Sequence, residues 1–255
     1  MFLTPALATI VFFVGILIGC IGIGGVLLLP SLKYLGGIPL HDAIPACMLS
    51  YSVTGVVGTL IFSRHGTINW SLALKVCIGA LPGAYIGAFL LPLFSSQVIE
   101  TCIAFLIIYS GIDALLKRGS VTNSSQIGSS NSLIYIGLIA AIGSSLTGTG
   151  GPLLLIPILI WYGVSVLTAI GLSQVIQVPI SLMATVGNII HGHVDLKLGL
   201  VLALCLGVGA IVGARIVHLL PATKLKKGVA LLLIIVGMML LYNIISAGYI
   251  EISDI

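Results

Sequence analysis

Charge is what this chain has least of. Ten Lys and Arg and six Asp and Glu make up 6% of its 255 residues, where soluble domains carry about 25%. So few charges cannot coat a water-soluble globule of this length, which excludes a soluble enzyme. The cations form no cluster of the kind a nucleic-acid surface needs, so nucleic acid is not an expected partner. Cysteine is scarce as well. Cys20, Cys47, Cys77, Cys102 and Cys205 all sit in apolar stretches, and an odd number without recurrent spacing argues against a disulfide framework. The first run, Phe2 to Gly19, lacks a basic leader and an Ala-x-Ala site, so it reads as part of the mature chain rather than a cleaved signal.

What is present is hydrocarbon. Apolar residues make up 59% of the chain, and the mean hydropathy is +1.29. Apolar runs fall at 3–20, 26–36, 43–63, 71–92, 98–116, 133–146, 152–162, 166–190, 198–220 and 228–247. A crossing takes about 20 residues, so this is an all-α polytopic membrane protein whose surroundings are the lipid bilayer. The runs 26–36 and 152–162 are too short to cross alone. Between the halves, Arg118 to Ser132 is rich in Ser, Gly and Asn and has linker composition. The expected organisation is a first repeat over 1–117, a polar linker over 118–132 and a second repeat over 133–255.

The repeat can be read directly. Adding 126 takes Gly22, Gly24 and Gly25 to Gly148, Gly150 and Gly151, Thr59 to Thr185, and His65-Gly66 to His191-Gly192. The same shift takes Gly83-Ala84 to Gly209-Ala210, Gly87-Ala88 to Gly213-Ala214, and Gly111 to Gly237. One ungapped register over this span is more than shared hydrophobicity supplies, and it implies a tandem duplication.

The positive-inside rule then separates two topologies. If 3–36 and 133–162 each cross once as a broken helix, the ten cations divide evenly between the two sides. If each is a re-entrant hairpin with its glycines at the tip, Arg64, Lys75, Lys117, Arg118, Arg215, Lys224, Lys226 and Lys227 share one side. Only Lys33 and Lys197 then lie opposite. The second arrangement gives each half an odd number of crossings, hence inverted repeats, each a glycine-broken helix pair plus three transmembrane helices. It puts both termini outside and the linker in the cytoplasm. Residues 3–20 are nonetheless long enough to cross.

The glycine breaks are the sharpest candidate site. Gly22-Ile-Gly-Gly25 and Gly148-Thr-Gly-Gly151 each interrupt an apolar run, and each precedes an apolar half-segment ending near Pro30 or Pro157. Glycine lets the backbone leave the helix. The half-helix that follows presents free N–H groups and a positive dipole end, a way to hold an anion at mid-membrane without a buried cation. Candidate binding residues are therefore Gly22, Gly24, Gly25, Thr147, Gly148, Thr149, Gly150 and Gly151. A packing role for these glycines is the alternative reading.

A second polar signal runs along 166–190, where Gln174, Gln177, Ser181, Thr185 and Asn188 recur at helical spacing. Amides facing lipid would be costly, so this stripe faces protein or a wet cavity. It serves either as interhelical glue or, at Gln174 and Gln177, as ligand contact. The counterparts in the first half, Met48, Tyr51, Gly55, Thr59 and Phe62, are less polar. Gly79, Gly83, Gly87, Gly209 and Gly213 form small-x3-small seams for close helix packing. His65 and His191, with Arg64, are candidates for gating or coupling at the cytoplasmic mouth, or for capping helix ends and anchoring at the interface. His191-Gly-His-Val-Asp195 has poor metal-ligand spacing, and no cofactor is expected.

The paired breaks Gly22-Ile-Gly-Gly-Val-Leu-Leu-Leu-Pro30 and Thr147-Gly-Thr-Gly-Gly-Pro-Leu-Leu-Leu-Ile-Pro157, with the glycine seams and the His-Gly elements, resemble the TauE/SafE family of membrane transporters over essentially the whole chain. The resemblance implies a secondary carrier in a prokaryotic plasma membrane that exports a small sulfur-containing anion, sulfite or an organosulfonate. The two halves differ at Ile23 and Val26 against Thr149 and Pro152, so the half-sites are expected to contribute unequally. A membrane subunit of an ATPase-driven permease and an intramembrane enzyme are the alternatives. No Walker motif and no acid-base pair at membrane depth recommends either. Flux down the membrane potential, or coupling through His65, His191 or a bound cation, would each drive such a carrier.

Overall fold

The computed structural model describes residues 4–22, 24–116, 130–161, 164, 166–216 and several helical positions between 231 and 242. Nine helices follow one another among them. They are α1 (Pro5–Ile21), α2 (Gly25–Pro30), α3 (Leu40–Arg64), α4 (Trp70–Leu90), α5 (Ser96–Leu116), α6 (Ser130–Thr147), α7 (Pro152–Trp161), α8 (Val166–His191) and α9 (Leu196–Ile216). A π-helical turn, Ser31–Leu35, extends α2, and a 3-10 turn, Leu91–Leu93, extends α4. Among the described residues four helices are long and apolar enough to cross a membrane, namely α3, α4 with its extension, α8 and α9.

Polar residues start the helices where the chain would meet water. The Thr4 hydroxyl accepts from the Leu7 N–H, with Pro5 in the first turn of α1. Asn69 Oδ1 accepts from the Leu72 N–H at 3.2 Å to open α4. Asp195 Oδ1 accepts from the Leu198 N–H at 3.0 Å to open α9. Such caps satisfy donors that no helical carbonyl reaches. Asn69 and Asp195 are 126 positions apart, and the bounds of α3 and α4 recur 126 later in α8 and α9 to within a residue.

Two details differ from the sequence reading. Only one half-segment ends at its proline: α2 stops at Pro30, which has no N–H to return to Val26, and a π-helical turn follows it. In the second half α7 runs through Pro157 to Trp161. The helix expected from residue 133 begins at Ser130, inside the polar stretch taken as linker, because Ser and Asn are tolerated in a first turn. Residues 118–129 and most of the run 228–247 lie outside the described residues.

Helices α3 and α8 occupy the centre. A β-carbon on Gly58 would run into the Gln174 amide and one on Gly55 would lie 3.0 Å from Val178 Cγ2, so α3 and α8 run antiparallel. Helix α4 packs along α6 and α8, and α9 packs along α1 and α3. Backbones approach closely at the glycine seams. Gly83 lies against the Leu138 carbonyl of α6, and Gly209 and Gly213 lie against the Phe12 and Ile16 carbonyls of α1. Ser145 donates to the Ala84 carbonyl at 2.8 Å across the same α4–α6 seam. Without a hydrophobic gain between helices in lipid, such contact is what holds them together. The outward faces are apolar, with Leu74, Ile139 and Leu204 each at least 65% exposed.

Each short segment doubles back on the helix before it. Gly24 lies against Val14 and Ile18, and Gly36 lies against Leu7, so α2 and its extension run antiparallel to α1. In the second half Gly143 of α6 lies against Leu154 of α7. Both breaks are therefore turns at the tips of folded pairs.

Candidate functional site

Backbone conformation makes the turns possible. Gly22 has φ +79° and caps α1, its N–H donating to the Ile18 carbonyl at 2.8 Å. Gly148 has φ +67° at the equivalent place after α6. Side chains resist this left-handed region, so glycine is what lets each helix end there. The chain continues with Gly150 at φ +79° and Gly151 at φ +108° before α7 begins. In the first half the turn closes differently: Gly24 already has helical φ −62°, and α2 begins at Gly25.

The two tips meet. A β-carbon on Gly22 would lie 3.0 Å from Pro152 Cβ, and one on Gly25 would lie 3.0 Å from the Thr149 carbonyl oxygen. Gly22, Gly24, Gly25, Thr147, Gly148, Thr149, Gly150 and Gly151 are all buried. The Thr147 and Thr149 hydroxyls lie 3.2 Å apart, Thr147 donates to the Gly143 carbonyl at 2.6 Å, and the Thr149 N–H donates to the Ser144 carbonyl at 3.1 Å.

Gln174 and Gln177 join them. Gln174 Nε2 donates to the Ile18 carbonyl at 3.0 Å, at the very end of α1, and Gln177 Nε2 donates to Thr54 Oγ1 at 2.9 Å. The polar stripe of α8 thus serves the break of the first half, not that of its own half. Ile18 and Ser144 are equivalent under the 126 shift, and so are Gln174 and Met48. Met48 cannot donate, and the Ser144 carbonyl is met by the Thr149 N–H instead. The asymmetry expected from Ile23, Val26, Thr149 and Pro152 has this polar side, while Ile23 lies outside the described residues.

Tyr51 is the member of this constellation that sequence reasoning passed over. It is fully buried, donates its hydroxyl to the Gly25 carbonyl at 2.9 Å, and sets its ring against Gly150. Its position equivalent to Gln177 was the available signal: two large side chains with polar ends stand at matching places on the central helices, Tyr51 reaching the Gly25 carbonyl and Gln177 reaching Thr54. Thr54 and Ser173, the latter 3.1 Å from where a Gly22 β-carbon would stand, complete the surroundings.

Arg64, His65 and His191 are not part of this constellation. All three are exposed at the ends of α3 and α8. His65 Nδ1 lies 2.8 Å from the Ile61 carbonyl, in the last turn of α3. His191 Nε2 lies 2.9 Å from the Tyr85 hydroxyl, and its ring packs edge-on against Tyr85 and Phe89 of α4. One ion pair outside the site ties the first hairpin to α5: Lys33 of the π-helical turn pairs with Glu100, whose side chain is 10% exposed.

Comparison with known proteins identifies what the chain is similar to. The family model described as Sulfite exporter TauE/SafE matches residues 7–240. A probable membrane transporter protein of Bacillus subtilis, YdhB, is 27% identical over 240 residues, covering 91% of this chain and 98% of the relative. Another from the same organism, YunE, is 25% identical over 90% of this chain and 93% of the relative. A probable membrane transporter protein of Methanocaldococcus jannaschii is 23% identical over 94% and 96%. No solved structure matches. The chain belongs to the TauE/SafE family of membrane transporters.

Proposed function

From that membership we propose that the protein is a secondary carrier that exports a small sulfur-containing anion, sulfite or an organosulfonate, by alternating access. The observation that carries this reading is the meeting of the two glycine turns, Gly22 against Pro152 and Gly25 against Thr149, at the centre of the helices that are able to cross. Each turn precedes a half-helix whose positive dipole end faces the turn, although Pro152 brings no N–H to the start of α7 and the Leu27 N–H of α2 is spent on the Gly24 carbonyl. No Lys or Arg stands among the site residues, so backbone dipoles, the Thr147 and Thr149 hydroxyls and amide N–H groups supply the positive potential.

The repeats are read as inverted. Helices α3 and α8 occupy equivalent places and pack antiparallel, as a twofold axis in the membrane plane requires. Rocking one repeat against the other about that axis would open the site to each side in turn. The hairpins α1–α2 and α6–α7 are then re-entrant, the termini lie outside a prokaryotic cell membrane and the linker lies in the cytoplasm. Arg64, His65 and His191 sit at the ends of α3 and α8 where a cytoplasmic mouth would be.

The test is flux. Purified protein in liposomes, loaded with sulfite and separately with chloride or phosphate, should release sulfite at least tenfold faster than protein-free vesicles and faster than either other anion. Background release of every anion would overturn the carrier reading.

A further inference from the structure

The two helix ends at the glycine turns are finished in opposite ways. At the end of α1 the Ile18 carbonyl receives the Gln174 amide as well as the Gly22 N–H. At the end of α6 hydroxyl oxygens gather instead. Ser144, Thr147 and Thr149 stand where the first half has Ile18, Ile21 and Ile23, and all three are buried, at 0%, 2% and 2% exposed.

The three hydroxyls belong to one place. Ser144 and Thr147 are three apart on α6 and share a face. The Thr149 N–H returns to the Ser144 carbonyl at 3.1 Å, and the Thr149 hydroxyl lies 3.2 Å from that of Thr147. Thr147 spends its proton on the Gly143 carbonyl at 2.6 Å, so between the two threonines Thr149 is the donor. Among the described residues no donor then meets Thr149 Oγ1, and Ser144 Oγ is buried without a partner.

Lone pairs thus outnumber donors at a helix C-terminus, where the dipole is negative and the last carbonyls lack helical partners. That environment suits a cation, and the C-terminal ends of broken membrane helices hold such ions in other carriers. None of the three side chains is a carboxylate, the group that divalent ions require, so the ion is singly charged. Thr59 Oγ1 is buried and unpartnered too, but it lies within α3, more than a turn from the helix end.

We propose that Ser144, Thr147 and Thr149 hold an alkali-metal cation, Na⁺ or K⁺, at the end of α6. The proposal rests on the carrier reading and deepens it. The cation takes lone pairs of the Thr147 and Thr149 oxygens, and the Thr149 O–H, no longer turned to Thr147, faces the anion. The ion also brings a full positive charge to a site that has no Lys or Arg. Cation and anion therefore each raise the affinity for the other. Isoleucines at the equivalent positions give the first turn no such ligands.

The test uses the purified full-length protein in NaCl, KCl or N-methylglucamine chloride at equal ionic strength. Na⁺ or K⁺ should raise the unfolding midpoint saturably above its value in N-methylglucamine. The same cation should tighten sulfite binding, measured by calorimetry, roughly fivefold or more. The comparison of the two salts identifies the ion. Thr149→Val and Ser144→Ala should lose both effects, while Thr59→Val, which removes an unpartnered hydroxyl elsewhere, should keep them. Equal midpoints in all three salts, or cation effects that persist in both Thr149→Val and Ser144→Ala, would overturn the proposal. Cation binding without anion flux in liposomes would overturn the carrier reading alone. Anion flux with no cation dependence of midpoint or affinity would overturn this proposal alone.

Discussion

The Tyr51 hydroxyl donates to the Gly25 carbonyl at 2.9 Å while the Tyr51 ring lies against Gly150, so one side chain of α3 touches both glycine turns. Tyr51→Phe keeps the ring and removes the bond. A buried hydrogen bond of this kind contributes about 1 kcal/mol, so thermal unfolding should shift by only a few degrees. Flux should fall several-fold, because the first turn loses its tether to the second. Wild-type flux in Tyr51→Phe, measured beside its unfolding midpoint, would reduce Tyr51 to a packing role.

Gly25→Leu and Gly151→Leu should abolish flux while leaving membrane insertion intact. A β-carbon at Gly25 would lie 2.9 Å from Tyr51 Oη and 3.0 Å from the Thr149 carbonyl, so a leucine must push the two turns apart. At Gly151 the φ of +108° opposes any side chain, and Ile180 Cδ1 stands 2.9 Å away. Neither turn lies on the seams between crossing helices, so assembly should survive. Flux assays on variants matched for expression in the membrane decide, and normal flux in both would remove the turns from the site.

Much of this arrangement is legible in the sequence, because membrane helices obey few rules and break them visibly. Four glycine-seam positions, Gly79, Gly83, Gly209 and Gly213, read as close-packing sites, and each has a neighbouring helix carbonyl where its β-carbon would be. The two glycine turns read as paired from the 126 offset alone. The partner of the α8 stripe is not legible. Periodicity says that Gln174 and Gln177 share a face, but not that the face meets Ile18 and Thr54, more than 120 residues earlier. Tyr51 is hidden for a related reason: an aromatic on an apolar helix looks like core, and only the fold brings the Gly25 carbonyl to its hydroxyl.

The pair Lys33–Glu100 should act as a clasp between the first hairpin and α5. Its partners are unequally covered, with Lys33 31% and Glu100 10% exposed. Lys33→Met leaves a mostly buried carboxylate without its cation. It should destabilise more than the double variant Lys33→Met with Glu100→Gln, in which the uncompensated charge is gone. The loss should fall below the about 3–5 kcal/mol of a fully buried pair, because Lys33 keeps contact with water. Unfolding midpoints of the two single variants and the double variant give the coupling, and additive losses would mean that the contact contributes nothing.

Sidedness separates the two topologies that the sequence leaves open. If α1 and α2 form a re-entrant pair, the first repeat crosses three times, through α3, α4 and α5, and position 2 and position 124 lie on opposite sides of the membrane. If residues 3–36 cross once as a broken helix, the first repeat crosses four times and the two positions share a side. The folded-back packing of Gly24 on Ile18 and of Gly36 on Leu7 favours the first case, as does the gathering of eight of ten cations on one face. Phe2→Cys and Ser124→Cys, each introduced into a chain freed of its five native cysteines, should differ in labelling by a membrane-impermeant maleimide added to intact cells. Position 2 should react and position 124 should react only after lysis. Reaction of both, or of neither, before lysis would return α1 and α2 to a single crossing. That result would make the repeats parallel and remove the in-plane axis on which the alternating-access reading depends.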